Sequence, residues 1–400
     1  MYKAAIIGLG KMGLSHLSIA NAHPDIQLRC VCDTSRYLLD VLHKYTGVTT
    51  YSDFERMLRE VELDCLFVAT PSKYHANIVA AALERNLHVF CEKPLALEPQ
   101  TGYRLAETAE RKGLVNQVGY HFRYVAPFNE AKRLLDRKVI GDLHHVRVDA
   151  YGPVVLRRKV ASWRSQQSDG GGCLFDYACH AIDLANYLVG RPVAVSGTVL
   201  NGVFSDSVDD EVYSTLQFAQ GLHGQLATNW SDESVRKMSV SMSLWGTNGR
   251  INVDRQELQV YLRSPSESAE DLVPGWNTRY TTDLTPPVWF YVRGEEYSSQ
   301  IDHFVQCIKT GSAATSNFRS ASDAVLVASM MRKDALRQGT RIECAPVNEP
   351  PVEGKRSHDS TLEFPQLARS TPGLRTTGLT SLPERKRGFM EALFGRSKHG

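Results

Sequence analysis

AAIIGLGKMG, residues 4–13, is an apolar run that passes directly into a glycine motif. The run Ala4–Ile7 predicts a buried strand, and the glycines after it have the spacing of a dinucleotide-binding turn at the start of a helix. The first glycine permits the tight turn, the second lets the backbone approach a pyrophosphate, and the third allows close packing of helix on strand. The predicted cofactor-binding residues of this turn are Gly8, Leu9, Gly10, Lys11, Met12 and Gly13.

Asp33 supports the same interpretation because it ends the predicted second strand. An acidic side chain at that point accepts hydrogen bonds from the adenosine ribose and repels a 2′-phosphate. We therefore expect NAD as the cofactor, in preference to NADP. Arg36 keeps NADP open as an alternative, since its guanidinium is able to partner a 2′-phosphate.

The pattern of apolar and polar residues divides the chain into three parts. Residues 1–121 alternate short apolar runs with amphipathic helical segments, which predicts a Rossmann domain with a doubly wound parallel sheet. Residues 122–345 contain strands with period-two alternation and two closing helices, which predicts a C-terminal α+β domain on an open, mostly antiparallel sheet. Residues 346–400 are rich in Pro, Ser, Thr, Gly and Arg, and we expect a disordered tail.

One part of this tail leaves an alternative open. An apolar stripe near the terminus favours a frayed chain end, and a helix that docks on a partner or a membrane surface is the alternative. The stripe consists of Phe389, Met390, Leu393 and Phe394.

Composition excludes several function classes. The net charge of +2 comes from interspersed signs, so there is no basic patch of the kind that nucleic acid requires. No run reaches the length of about 18 apolar residues that a membrane helix needs. The eight cysteines form no C-x-x-C pair, which favours buried free thiols, no metal site and a cytoplasmic location.

Two polar turns follow strands of the predicted Rossmann domain. In the first, we expect Thr70 and Pro71 near the nicotinamide half of the cofactor and His75 in the first turn of a helix, with Ser72 as the helix cap. In the second, Glu92 and Lys93 precede Pro94, a candidate for a cis peptide. The apolar run before it places the Lys93 ammonium at the mouth of the cofactor cleft.

A third motif, GGGCLFDYACHAID, occupies residues 170–183. Asp176 and His180 share a helix face because they are four residues apart. An imidazole with an aspartate one turn earlier suits general base catalysis, although a lone histidine on a helix is more often structural. Asp183 lies off that face and is expected to be structural.

Together GLGKMG, ATPSKYH, CEKPLA and GGGCLFDYACHAIDL resemble the glucose–fructose oxidoreductase and inositol dehydrogenase (Gfo/Idh/MocA) family, over residues 1–340. The resemblance implies that His180 takes the proton of a substrate hydroxyl, that Lys93 hydrogen-bonds the same oxygen, and that Asp176 orients substrate or base. A hydride then passes from the carbinol carbon to the nicotinamide. Substrates of the family are sugars, nucleotide sugars and cyclic polyols.

The resemblance also assigns further contacts. Tyr120 and Arg123 match the segment between the domains that reaches the nicotinamide and substrate. Trp163 and Arg164 are candidate substrate contacts, although a packed Trp beside a surface Arg is an equal alternative. The basic cluster Arg157, Arg158, Lys159 and Arg164 favours a nucleotide sugar, and a solvated loop explains it equally well. A homodimer or homotetramer is implied, formed through the open sheet.

Two other functions compete with a dehydrogenase. Some members of the family use bound NAD to hydrolyse a glycosidic bond, with no net NADH production. A non-catalytic NAD-binding regulator is the second alternative, and the loss of Lys93 or His180 would have favoured it. Both residues are present.

Overall fold

The computed structural model describes residues 1–158 and 163–339 of the chain. Six parallel strands form the first sheet in the order β3-β2-β1-β4-β5-β6. The strands are β1 (Tyr2–Ile7), β2 (Ile26–Cys32), β3 (Thr49–Tyr51), β4 (Cys65–Val68), β5 (His88–Cys91) and β6 (Asn116–Val118). The helices between them are α1 (Lys11–Ala22), α2 (Arg36–Thr46), α3 (Phe54–Glu60), α4 (His75–Glu84) and α5 (Pro99–Arg111).

Helix α6 (Ala126–Asp136) leads into a second sheet of eight strands. Its order is β14-β13-β12-β11-β7-β10-β9-β8, and the only parallel pair among these strands is β7 with β10. The strands are β7 (Leu143–Tyr151), β8 (Ala194–Asn201), β9 (Glu211–Gln217), β10 (His223–Asn229), β11 (Ser239–Gly246), β12 (Gly249–Val253), β13 (Glu257–Leu262) and β14 (Gly275–Tyr280). The remaining helices are α7 (Cys179–Val189), α8 (Thr281–Leu284), α9 (Glu295–Thr310) and α10 (Phe318–Arg337).

The predicted fold class is confirmed: a doubly wound parallel sheet is followed by an α+β part on a mostly antiparallel sheet. The division at residue 121 stays a prediction, and the structure adds one qualification to it. Ile301 and Phe304 of α9 pack in one apolar cluster with Ile6, Phe67 and Phe90 of the first sheet. Helix α9 therefore covers the first sheet, although its place in the sequence groups it with the second.

The predicted cap at Ser72 is wrong. Residues Ser72–Tyr74 form a 3₁₀ turn with Pro71 at its N-cap position, and α4 begins at His75 without a side-chain cap. The proline fixes the entry to the turn, so the chain winds tightly before the α-helix begins. His75 does lie in the first turn of α4, as expected.

The predicted tail, residues 346–400, and its apolar stripe lie outside the described residues, as does Lys159. Seven cysteines lie within the described part, and all are buried and free. None of the helices in residues 1–158 and 163–339 is long and apolar enough to cross a membrane.

Candidate active site

The glycine turn after β1 has the geometry that its sequence predicts. Gly8 has φ +90°, and a Cβ on it would lie 2.6 Å from the carbonyl carbon of Ala69 in the loop after β4. A Cβ on Gly13 would lie 1.8 Å from the Gly8 carbonyl oxygen, so the third glycine lets α1 close onto the turn. Gly10 faces open space, with nothing within 4 Å of its Cβ position.

This open space lies at the start of α1, where a pyrophosphate fits. Gly10 is the N-cap residue of the helix and supplies no side-chain cap, so the first N–H groups of α1 are available to an anion. Thr70 borders the same crevice, and its buried Oγ1 has no hydrogen-bond partner among the described residues. These features fit a dinucleotide held between the carboxyl ends of β1 and β4, where the strand order of the sheet reverses.

Asp33 is tied to the turn by two backbone groups. Its Oδ2 accepts from the Leu9 N–H at 2.6 Å, and its Oδ1 accepts from the Ser35 N–H at 2.8 Å. Each carboxylate oxygen keeps a further lone pair for a ribose hydroxyl. Arg36 is exposed at the first position of α2.

His75 connects two loops of the crevice. Its Nδ1 lies 2.7 Å from the carbonyl oxygen of Pro94, and its Nε2 lies 2.7 Å from that of Thr70. The ring is buried, and the loops after β4 and β5 are thereby held at a fixed separation. Contact between His75 and the cofactor stays a prediction.

Lys93 and Asp176 meet although they are 83 residues apart. The Lys93 Nζ donates to Asp176 Oδ1 at 2.8 Å and to the Asp176 backbone carbonyl at 2.5 Å. The peptide bond between Lys93 and Pro94 is cis, as its sequence context indicated. On the other carboxylate oxygen, Arg164 Nε donates to Asp176 Oδ2 at 2.9 Å. Asp176 therefore carries a cation on each oxygen.

The charges of this group follow from that arrangement. Burial by itself would lower the pKa of Lys93, but the Asp176 carboxylate raises it above its ordinary value. Burial would raise the pKa of Asp176, but Lys93 and then Arg164 hold it below its usual range. Both groups stay ionised near neutral pH, so Lys93 presents an ammonium to the site.

His180 lies on α7, which continues a π-helical turn over Leu174–Ala178. Burial, followed by the charge of Lys93, lowers the pKa of His180 well below its ordinary value, so the ring is neutral near pH 7. Its Nδ1 is buried and has no partner in the described part of the chain. Asp176 does not hydrogen-bond to this ring, because its oxygens are taken by Lys93 and Arg164.

Aromatic rings enclose His180. Tyr120 and Phe122 meet it edge-on, with ring centroids 5.8 and 5.6 Å away, and His121 does so at 5.1 Å. His121 in turn stacks on Tyr297 of α9 at 4.8 Å. Burial lowers the pKa of His121 to about 3, with Arg255 as the next cause, so a second neutral imidazole faces the site.

The Arg123 side chain pairs with Asp183. Its Nε and Nη2 donate to the two carboxylate oxygens of Asp183 at 2.8 and 2.7 Å, and its Nη1 donates to the Thr315 carbonyl. Both side chains of the pair are buried. Asp183 thus has the structural role expected of it, and three of the Arg123 donors are taken by protein acceptors. Contact between Arg123 and substrate stays a prediction.

Sequence reasoning missed two residues at the site. His16 of α1 is fully buried, and its Nε2 lies 2.6 Å from Glu92 Oε1, which fixes the carboxylate beside Lys93. Tyr297 reaches the site from α9. In the sequence, both His16 and Tyr297 are polar side chains on the buried face of a predicted helix. That pattern does not show which residues they contact, because the contacts depend on the tertiary packing of α1 and α9.

Comparison with known proteins agrees with this geometry. Residues 2–120 match the model of an oxidoreductase family with an NAD-binding Rossmann fold, and residues 128–252 match a GFO/IDH/MocA C-terminal domain. The chain is 26% identical to scyllo-inositol 2-dehydrogenase (NAD(+)) of Bacillus subtilis, over 77% of this chain and 86% of the relative. It is also 26% identical to levoglucosan dehydrogenase of Pseudarthrobacter phenanthrenivorans, over 83% of this chain and 96% of that protein.

A solved structure of levoglucosan dehydrogenase in complex with NADH superposes with a TM-score of 0.75. It is 25% identical and covers 84% of this chain and 97% of that one. The fold, the glycine turn and the two matched domains lead to one conclusion: the chain belongs to the Gfo/Idh/MocA family of NAD-binding oxidoreductases.

Proposed function

We propose that this enzyme transfers a hydride between NAD and a secondary alcohol of a sugar, nucleotide sugar or cyclic polyol. The observation that carries the proposal is the pairing of the Lys93 ammonium with Asp176 beside a neutral His180. Alcohol oxidation needs one proton acceptor and one positive donor at the same oxygen. These residues provide both. The scyllo-inositol and levoglucosan dehydrogenases among the relatives support this substrate class.

The role of each side chain follows from its charge. His180 is neutral and accepts the proton of the substrate hydroxyl. Lys93 donates a hydrogen bond to the oxygen as negative charge develops on it, and Asp176 keeps Lys93 ionised and in place. The bound nicotinamide supplies the hydride acceptor. In the reverse direction, the protonated His180 returns the proton to the alkoxide.

The cofactor residues of the proposal are those around the crevice. Gly8 to Gly13 hold the pyrophosphate and Asp33 holds the adenosine ribose, with Arg36 at its rim. Thr70, Pro71, Glu92 and Tyr120 would contact the nicotinamide half of the cofactor.

A nucleotide sugar has weaker support than a simple sugar or polyol. Arg164 is paired with Asp176, and Arg158 lies 3.7 Å from Asp206, so two of the basic residues before the catalytic helix have acidic neighbours. We retain Trp163 and Arg164 as proposed substrate contacts. The Arg164 side chain is half-exposed, and we propose that it contacts substrate while it stays paired with Asp176.

We also propose a homodimer or homotetramer formed through the open face of the second sheet. That face carries Trp245, whose ring contacts His145 at 4.9 Å and Arg250 at 4.4 Å. Large, half-exposed rings beside arginines are typical of interface residues. The light-scattering mass of the protein, before and after Trp245→Glu, tests the assembly.

A cytoplasmic location is also proposed, and the buried free thiols support it.

The function is tested by identifying the molecule that copurifies with the protein and by screening polyols, sugars and nucleotide sugars with NAD. Net formation of NADH with one substrate class supports the proposal. Release of an aglycone without net NADH would establish the hydrolase alternative instead. Tight NAD binding with no turnover of any class would favour the regulator.

A further inference from the structure

The segment that carries Asp176 and His180 is held at its start by a residue of the loop between β8 and β9. The Cys173 N–H donates to the Asp209 carbonyl oxygen at 2.7 Å, and the Leu174 N–H donates to Asp209 Oδ2 at 2.6 Å. The first N–H groups of a helix have no intrahelical acceptor, and Cys173 supplies no side-chain cap of its own. Asp209 therefore caps this turn from a distant part of the chain.

The packing leaves Asp209 little freedom. Gly172 has φ +99°, and a Cβ on it would lie 2.6 Å from Asp209 Oδ1, so the carboxylate rests against the backbone of the glycine loop. The neighbouring Asp210 fixes the loop itself. Its Oδ2 accepts from three consecutive backbone N–H groups, and its Oδ1 accepts from the Trp230 indole. A rigid loop thus presents Asp209 to the helix start.

The charged and titratable groups facing this carboxylate come from three elements. Arg332 of α10 covers the Phe175 ring at 4.2 Å and supplies the positive charge, while Asp210 supplies a negative one. Cys173 is the third group, and burial raises the pKa of its thiol. Burial raises the pKa of Asp209 itself to about 6, against the opposing effects of the Leu174 N–H and Arg332.

We propose that ionised Asp209 is a positioning residue for proton transfer, which fixes the first turn of the segment and thereby the orientation of Asp176 and His180. Above pH 6 its bond to Leu174 is charge-assisted and is reinforced by the dipole of the helix. As the pH falls through about 6 the carboxyl takes up a proton, so this bond loses its charge assistance while the cost of burying the charge is removed. The kinetic consequence rests on the proposed function, whereas the structural one does not.

Asp209→Asn tests the inference because it keeps the size and one acceptor oxygen but removes the charge. We expect kcat at pH 8 to fall about tenfold, in line with the loss of one charge-assisted bond. The fall of wild-type kcat near pH 6 should be absent in the variant, while Kd for NAD stays within a factor of two or so of wild type. Asp206→Asn, in the same loop but exposed, is the matched control and should retain the wild-type profile.

Hydrogen exchange of residues 173–182 tests the structural half without a substrate. After correction for intrinsic rates, protection in wild-type protein should rise between pH 8 and pH 5, because the raised pKa of Asp209 in the folded state favours the protonated carboxyl, and protection in Asp209→Asn should not depend on pH in this range. Equal protection in both proteins at both pH values would overturn the inference, even if the enzyme oxidises polyols. A parallel loss of NAD affinity and melting temperature in the variant would overturn it as well, because Asp209 would then support the whole fold.

Discussion

Replacing Lys93 by methionine removes the ammonium from the Asp176 carboxylate and retains most of the side-chain volume. The two side chains are only 14% and 11% exposed, so the change leaves a buried carboxylate that has lost one of its cations. Losing one partner of a fully buried pair costs about 3–5 kcal/mol of folding free energy. Arg164 still donates to Oδ2, so we expect a loss of about 1.5–3 kcal/mol, the value of one hydrogen bond to a charged group.

The effect of Lys93→Met on catalysis should be larger than its effect on stability. Loss of the donor to the developing alkoxide is expected to lower kcat by about 10²–10⁴-fold, or roughly 3–5 kcal/mol of transition-state stabilisation. NAD affinity should stay nearly unchanged. The assays are NADH formation with the substrate found by the screen, calorimetric titration of NAD, and thermal unfolding.

Lys73→Met is the matched control, because Lys73 also pairs with an aspartate of the segment before the catalytic helix. Its Nζ lies 3.1 Å from Asp169, but the lysine is 40% exposed, and exposed pairs contribute little. Turnover close to wild type is expected. If Lys93→Met turns over within a few-fold of wild type while Lys73→Met does the same, the catalytic assignment of Lys93 is refuted.

Three further predictions follow from the site. Asp33→Ala should weaken NAD binding and narrow the preference for NAD over NADP, as measured by calorimetry, and an unchanged ratio would contradict the role of this carboxylate. His180→Ala should lower kcat by about 10²–10⁴-fold with little change in NAD affinity, and a retained kcat would exclude it as the proton acceptor. Arg123→Met leaves Asp183 buried without its partner, so about 3–5 kcal/mol of stability should be lost in denaturant unfolding. The double variant Arg123→Met with Asp183→Leu should recover part of that loss, and no recovery would show that the two residues are not coupled.

The sequence predicts those features of the fold that are encoded locally. The glycine turn and the strand before it identify the Rossmann domain. A side chain at Gly8 or Gly13 would clash with backbone atoms of the turn, so these positions require glycine. Strand β3, three residues at the edge of the first sheet, is too short to show a period in the sequence. Strand β14 is an edge strand with no fully buried residue, so its sequence has no apolar face that would reveal it.

The site residues also divide into those that the local sequence identifies and those that only tertiary contacts identify. Lys93 and His180 stand out because each follows a recognisable turn, whereas Arg123 has the sequence context of a site residue and the contacts of a structural one. Nothing near Arg123 in the sequence reveals that Asp183 lies opposite it. The pairing is decided by the packing of α7 against the turn after β6, which depends on contacts between residues far apart in the chain.

The topology of the first sheet explains why these distant residues meet. The loops after β1 and β4 lie side by side at the point where the strand order reverses, and the loop after β5 follows next to them. Lys93 lies in that third loop, so it reaches past the crevice toward the glycine-rich entry of α7. There the Lys93 ammonium pairs with Asp176, whose other carboxylate oxygen accepts from Arg164. Asp209 caps the start of the same turn. The acid–base group is thus assembled from one sheet edge and one helix start, and its precision depends on the residues that hold that helix start in place.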